Sequence, residues 1–211
     1  DALCDALTAR GMNGLPVFVS SLKDAVSAAT VSGLFEQAKP DVVLNTTGFA
    51  VWTAGNWQGA VLDSQGAVVL QVVLSSSTLE TWEQSAFGLS SRDLAMNVAL
   101  PELDGKVLSR AVSFKLPEQF DEFVEAPIVR HSPLADRVDF TADLAAKWVR
   151  LRRKTVSERN VAIVLANYPN RDGRIANGVG LDTPAGTIEV LQAMAGAGYA
   201  VGEIPADGDA L

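Results

Sequence analysis

Cysteine and histidine, two side chains that carry much of protein chemistry, occur once each, as Cys4 and His131. This inventory allows no internal disulfide, no CxxC redox pair, no zinc finger and no HExxH site. A Ser-His-Asp triad would need His131 as its base. Carboxylates, guanidinium groups, hydroxyls and amides remain. Short polar runs follow apolar ones at Ser20-Ser21, Asn45-Thr46-Thr47 and Ser75-Ser76-Ser77. If the apolar runs are parallel strands, these polar ends line the crevice where open α/β sheets take their ligands. They are read equally well as turn and N-cap residues. Arg171, Asp172 and Arg174 sit in a Gly/Asn-rich stretch ahead of a helix start. Guanidinium forks and exposed N–H groups there would attract carboxylates or phosphates.

Two nucleotide motifs are incomplete. Gly178-Val179-Gly180 resembles a dinucleotide fingerprint without its third glycine, and Glu203 lies about where a ribose-binding acid would follow. Ten residues separate Asn167, at the end of the preceding apolar run, from Gly178. A true fingerprint turns immediately after its strand. Gly105-Lys106 lacks the upstream glycine of a P-loop, so the chain is not expected to hydrolyse ATP itself. Arg150, Arg152, Arg153 and Lys154 close a long helical pattern. They form either an anion patch or the usual cationic complement of a helix C-terminus.

The elements that must position these residues follow from periodicity. Helices are expected over residues 1–12, 25–39, 79–87 and 136–158, and after Thr183, read as an N-cap ahead of Pro184. The longest carries a stripe of Phe140, Leu144, Trp148 and Leu151. Strands are expected at residues 15–19, 41–44, 67–74, 161–165 and 199–204, with 107–115 as an edge or antiparallel strand. Residues 120–130 are expected to pair with something nearby. The segment 49–66 has no clear period and reads as an insertion. Continuous apolar strands alternating with helices imply a parallel sheet covered on both faces. The expected fold is therefore α/β, flavodoxin-like or Rossmann-like, with the start of a second α/β unit. The expected organisation is an α/β domain over 1–135, shortened on its N-terminal side, a connecting helix over 136–158, and a second domain beginning at 159. Both ends interrupt a strand–helix pattern, which points to part of a longer chain.

Composition bounds the partners. The chain has 211 residues with 17 Lys and Arg against 25 Asp and Glu, a net charge of −8, and a pI near 4.6. Such a surface argues against nonspecific binding to nucleic acid or to an anionic membrane. No apolar run reaches the roughly 18–20 residues of a bilayer span, and the first residues resemble neither a signal nor a transit peptide. A cytoplasmic location is expected.

Several motifs together are similar to a known family. Pro40-Asp41-Val42-Val43-Leu44-Asn45-Thr46-Thr47-Gly48-Phe49, Leu70-Gln71-Val72-Val73-Leu74-Ser75 and Arg92-Asp93-Leu94-Ala95-Met96-Asn97 resemble the large subunit of aerobic cobaltochelatases. So does the stretch from Asn167-Tyr168-Pro169-Asn170-Arg171 to Gly178-Val179-Gly180-Leu181-Asp182-Thr183-Pro184-Ala185. Val98-Ala99-Leu100-Pro101-Glu102-Leu103-Asp104-Gly105 is similar to a run in the related magnesium chelatase large subunit. The resemblance covers nearly the whole chain but a minor part of the family's subunit.

What the resemblance implies is ATP-dependent insertion of Co²⁺, the substrate metal, into hydrogenobyrinic acid a,c-diamide. ATP and Mg²⁺ would be used by an AAA+ ATPase subunit and its partner carrying a metal-binding motif, not by this chain. The other implied partners are the tetrapyrrole and the remainder of the large subunit. Insertion needs a hydrated cation to shed water and ring nitrogens to lose protons, tasks suited to a carboxylate or imidazole. Glu102 is the first candidate for proton acceptor or metal relay. The competing reading is an acidic turn. Asp104 and His131 complete the candidate metal residues. Asn45, Thr46, Thr47, Arg92, Asn97, Arg171, Arg174 and Asn177 are the candidate substrate contacts, the arginines toward peripheral carboxylates. Trp52 and Trp57 could stack on the ring. The alternatives are a non-catalytic scaffold or subunit-contact module of the same assembly, and a nucleotide-dependent oxidoreductase domain.

Overall fold

The structure, a computed structural model, describes residues 1–51, 61–117, 119–166 and 180–211. The chain divides into two compact units, Asp1–Arg150 and Leu151–Leu211.

In the first unit the apolar runs pair into a four-stranded sheet. Its strands are β1 (Val42–Asn45), β2 (Val68–Thr78), β3 (Val107–Lys115) and β6 (His131–Pro133), in the order β1-β2-β3-β6. The first three are parallel, and β6 is antiparallel to β3. Thus β3 is not an edge strand but lies between β2 and β6. Two short strands, β4 (Gln119–Asp121) and β5 (Ala126–Ile128), pair only with each other, which accounts for the expected pairing of 120–130.

Side-chain alternation along β2 directs successive residues to opposite faces. On one face Val69 packs with Val31 and Phe35 of α2 (Ala25–Ala38) and with Leu62 of a short turn, and Val73 packs with Leu79 and Trp82 of α3 (Leu79–Gln84). On the other, Val72 packs with Val138 of α6 (Ala135–Arg153) and with Leu3 and Ala6 of α1 (Ala2–Thr8). The sheet is covered on both faces, as expected. Register slips between β2 and β3 bring Ala111 and Phe114 to the same face, where Phe114 meets Trp82 at 5.2 Å between ring centres.

Several expected elements differ. The helix over 136–158 begins one residue earlier and ends at Arg153. Its inward face is Val138, Thr141, Ala142 and Ala145, not the Phe140–Leu151 stripe. Small side chains let the helix approach the sheet closely. Phe140 stays exposed, with the Arg110 guanidinium 3.5 Å over its ring. Most of α6 is part of the first unit. Residues 15–19 form no strand: Val19 packs on the core, while Leu15, Val17 and Phe18 are exposed.

In the second unit, α7 (Thr183–Gly196) is capped by Asp182, whose carboxylate accepts the Ala185 N–H at 3.0 Å; Thr183 is already helical. Residues 161–166 and 199–204 join no ladder among the described residues, and Val161, Ile163 and Val164 are exposed. β-branched composition makes a run competent to be a strand, but hydrogen-bonded neighbours make it one. Among the described residues no helix is long and apolar enough to cross a membrane.

Candidate functional site

The strand β1 is short, and this shapes the site. Asn45, its last residue, is level with Gln71, whereas β2 continues to Thr78. The polar strand ends therefore do not form one rim. Ser75 to Ser77 lie inside β2, and it is Thr78 that caps α3 by accepting the Thr81 N–H at 3.2 Å. Ser20-Ser21 belongs to a turn, with Ser21 Oγ accepting the Lys23 N–H.

One helical segment runs beside these residues. It comprises α4 (Ser91–Leu94), a π-helical turn (Ala95–Ala99) and α5 (Leu100–Leu103). Ser90 starts it by accepting the Asp93 N–H at 3.1 Å. Pro101 has no N–H to give the preceding turn, and the helix widens just ahead of it. The segment thus continues through Pro101–Leu103, and Glu102 stands exposed on α5, not in an acidic turn.

Three sets of contacts join this segment to the strands. At its start, Asp93, only 2% exposed, accepts hydrogen bonds from Ser75 Oγ (2.9 Å), the Ser76 N–H (2.9 Å) and Asn97 Nδ2 (3.3 Å). At the π turn, the Phe49 N–H donates to the Met96 carbonyl at 2.8 Å. Gly48 is seated so closely that a Cβ there would lie 3.1 Å from Asn97 Oδ1 and 3.2 Å from the Met96 oxygen. At its end, Asp104 accepts the Val51 N–H at 2.7 Å, and Lys106 Nζ lies 3.1 Å from the same carboxylate oxygen. Both side chains of that ion pair are buried, and the contact is one of charge more than of hydrogen-bond angle.

A further network shapes the start of the loop. Asn45 Nδ2 donates to Gln71 Oε1 (2.6 Å) and to the Thr47 carbonyl (3.0 Å), while Asn45 Oδ1 accepts the Thr47 hydroxyl (2.8 Å). Gln71 Nε2 donates to the same Thr47 carbonyl at 3.1 Å. Both Asn45 donors are used internally, so Asn45 and Thr47 hold the loop's shape. Thr46 and Arg92 are exposed. Phe49 has φ 68° and is 56% exposed. A bulky residue there carries strain of about 1–3 kcal/mol.

The structure thus brings Asn45, Thr47, Asn97 and Asp104 into one seam between the loop and the helical segment, and Thr46, Arg92 and Glu102 stand exposed on those same elements. It does not bring His131 there. That residue pairs with Lys115 at the far end of β3, about 25 Å along the strand from Val107, the end that Asp104 leads into. Glu102, Asp104 and His131 therefore do not form a joint metal set. Among the described residues no three His, Cys, Asp or Glu side chains gather to hold a metal ion. Asp104 is committed to Val51 and Lys106. Arg171, Arg174, Asn177, Trp52 and Trp57 lie outside the described residues, as do Gly178 and Val179. Glu203 is exposed in a segment that is not a strand, which removes the geometry of a ribose-binding acid. Sequence reasoning missed Gln71, Asp93, Lys106 and Phe49 as site residues, and read Ser75 as a crevice-lining hydroxyl where it donates to the buried Asp93. Gln71 left a signal as the one polar residue in an otherwise apolar strand, and Asp93 another, three residues after the N-cap Ser90.

Comparison with known proteins places the whole chain in one family. The family model described as CobN/Magnesium Chelatase matches residues 1–211. The chain is 63% identical over its whole length to the aerobic cobaltochelatase subunit CobN of Sinorhizobium sp, and 43% identical over 99% of it to that of Pseudomonas aeruginosa. It spans 17% of the length of each. The solved catalytic subunit of cobaltochelatase from Mycobacterium tuberculosis superposes on all of this chain with a TM-score of 0.79 at 31% identity, the match covering 18% of that subunit. The chain belongs to the CobN/magnesium chelatase family.

Proposed function

We propose that the chain is part of a cobaltochelatase large subunit and contributes to tetrapyrrole binding and Co²⁺ insertion in cobalamin biosynthesis. The substrate is hydrogenobyrinic acid a,c-diamide. ATP hydrolysis belongs to separate AAA+ partners, and Co²⁺ is cargo. The observation that carries this reading is an exposed carboxylate, Glu102, and an exposed guanidinium, Arg92, on one helical segment fastened to β2 and to the loop after β1. Arg92 is suited to the acidic fringe of the macrocycle. Glu102 accepts a ring proton or relays the incoming cation as its waters are lost.

The test is Glu102→Gln in the full-length subunit, with metal uptake followed in the presence of the other subunits. A glutamine keeps the shape and loses the base, so uptake falls by about 10²-fold or more. Wild-type rates would remove Glu102 from the mechanism. A second reading, a scaffold module of the same assembly, is favoured by Asn45 and Thr47 satisfying each other and by Asn97 donating to the buried Asp93. It predicts unchanged uptake in that variant and no macrocycle contact by the seam.

A further inference from the structure

We propose that Phe49 is the stacking platform for the macrocycle, an assignment that rests on the tetrapyrrole-binding reading above. Among the described residues, three that are not glycine have positive φ: Lys39, Glu125 and Phe49. Lys39 ends α2, where a left-handed residue is ordinary, and its N–H closes on the Phe35 carbonyl at 2.8 Å. Glu125 lies in the tight turn between β4 and β5. Both positions have a local reason and a flexible polar side chain. Phe49 does not share these features. Its φ of 68° suits glycine, and a glycine stands immediately before it.

The conformation is enforced from both sides. Phe49 donates to the Met96 carbonyl in the π turn, Gly48 is seated against Asn97, and Val51 is held by Asp104. Phe18, Phe87 and Phe123 are more exposed than Phe49, at 56%, but none of them has a positive φ; Phe49 combines exposure with a strained backbone. Among the described residues of this chain, the fold therefore fixes an exposed aromatic side chain at a cost in backbone strain and with little burial in return. The segment that holds it is also the one that carries Arg92 and Glu102. A flat apolar ring is the complement of the flat face of a tetrapyrrole, and offset stacking is the favoured arrangement of two such faces.

The experiment titrates hydrogenobyrinic acid a,c-diamide into the full-length protein and follows the absorbance of the macrocycle. Phe49→Ala and Phe49→Gly weaken binding about three- to tenfold, and Phe49→Trp restores it to within about twofold. Thermal unfolding is measured in parallel. Phe49→Gly keeps or raises Tm, because glycine accepts the backbone conformation. Lost affinity with retained stability then marks a contact with ligand and not a folding defect. Wild-type affinity in both truncated variants, or a Trp variant as weak as Ala, overturns the role of Phe49 while leaving the tetrapyrrole reading intact. Failure of the wild-type protein to bind overturns the reading itself and the assignment with it.

Discussion

At the scale of single residues, the seam separates side chains whose polar atoms are consumed internally from those left free. Asp93 belongs to the first group. Its carboxylate receives a hydroxyl, a backbone N–H and an amide in a site closed to water. Asp93→Ala strands these donors, and leaving buried donors unpaired costs about 3 kcal/mol in total. The expected result in urea unfolding is a lower midpoint with an unchanged slope. Asp93→Asn keeps an acceptor oxygen and loses less. A loss below about 0.5 kcal/mol in the alanine variant would contradict this account of the seam. Glu102 belongs to the second group: exposed on α5, it contributes little to folding, and its substitution is read in metal uptake alone.

At the scale of elements, much of the first unit was legible. The run 67–74 is apolar apart from Gln71 because β2 is buried on both faces, the half-buried β1 is read from Val42-Val43-Leu44, and α2 falls where composition places it. The errors have physical causes. Residues 15–19, 161–165 and 199–204 have strand composition, but composition cannot supply a hydrogen-bonded neighbour. The Phe140 stripe obeys helical spacing, yet alanines at 142 and 145 allow the closer approach to the sheet, and a cation covers the phenylalanine instead. The site was legible as a set of motifs and not as a geometry. Asn45 and Thr47 read as ligand contacts because amides and hydroxyls at strand ends fit that role equally well, and Asn97 does so only through the family resemblance. That they bond to one another and to Asp93 depends on β1 stopping level with Gln71 and on Pro101 widening the helix, features of register and not of composition. The strain at Phe49 is a backbone property that residue types do not reveal.

At the scale of the whole molecule, acid weakens each unit at its surface. In the first, hydrogen bonding from Arg10 holds the Asp143 carboxyl below its ordinary 3.8, and the Ser27 N–H does the same for Asp24. In the second, Thr155 lowers Glu158 from 4.5. A carboxylate with a depressed folded pKa contributes stability that is present above its unfolded value and lost as pH falls through the folded one. Tm therefore declines below about pH 4. Arg10 also ties α1 to α6, with Nε 2.6 Å from Asp143 and Nη2 3.1 Å from Asp139. The difference in Tm between wild type and Arg10→Leu is greatest near neutrality and shrinks toward pH 2; a constant difference across that range would contradict the pairing.

The central claim is that the macrocycle rests on the seam between residues 46–51 and the helical segment 91–104. Amide hydrogen exchange of the full-length protein, with and without saturating hydrogenobyrinic acid a,c-diamide, tests it most directly. The account predicts slowed exchange in those two stretches and little change in the β4–β5 hairpin. A bound macrocycle that protects neither stretch would contradict it.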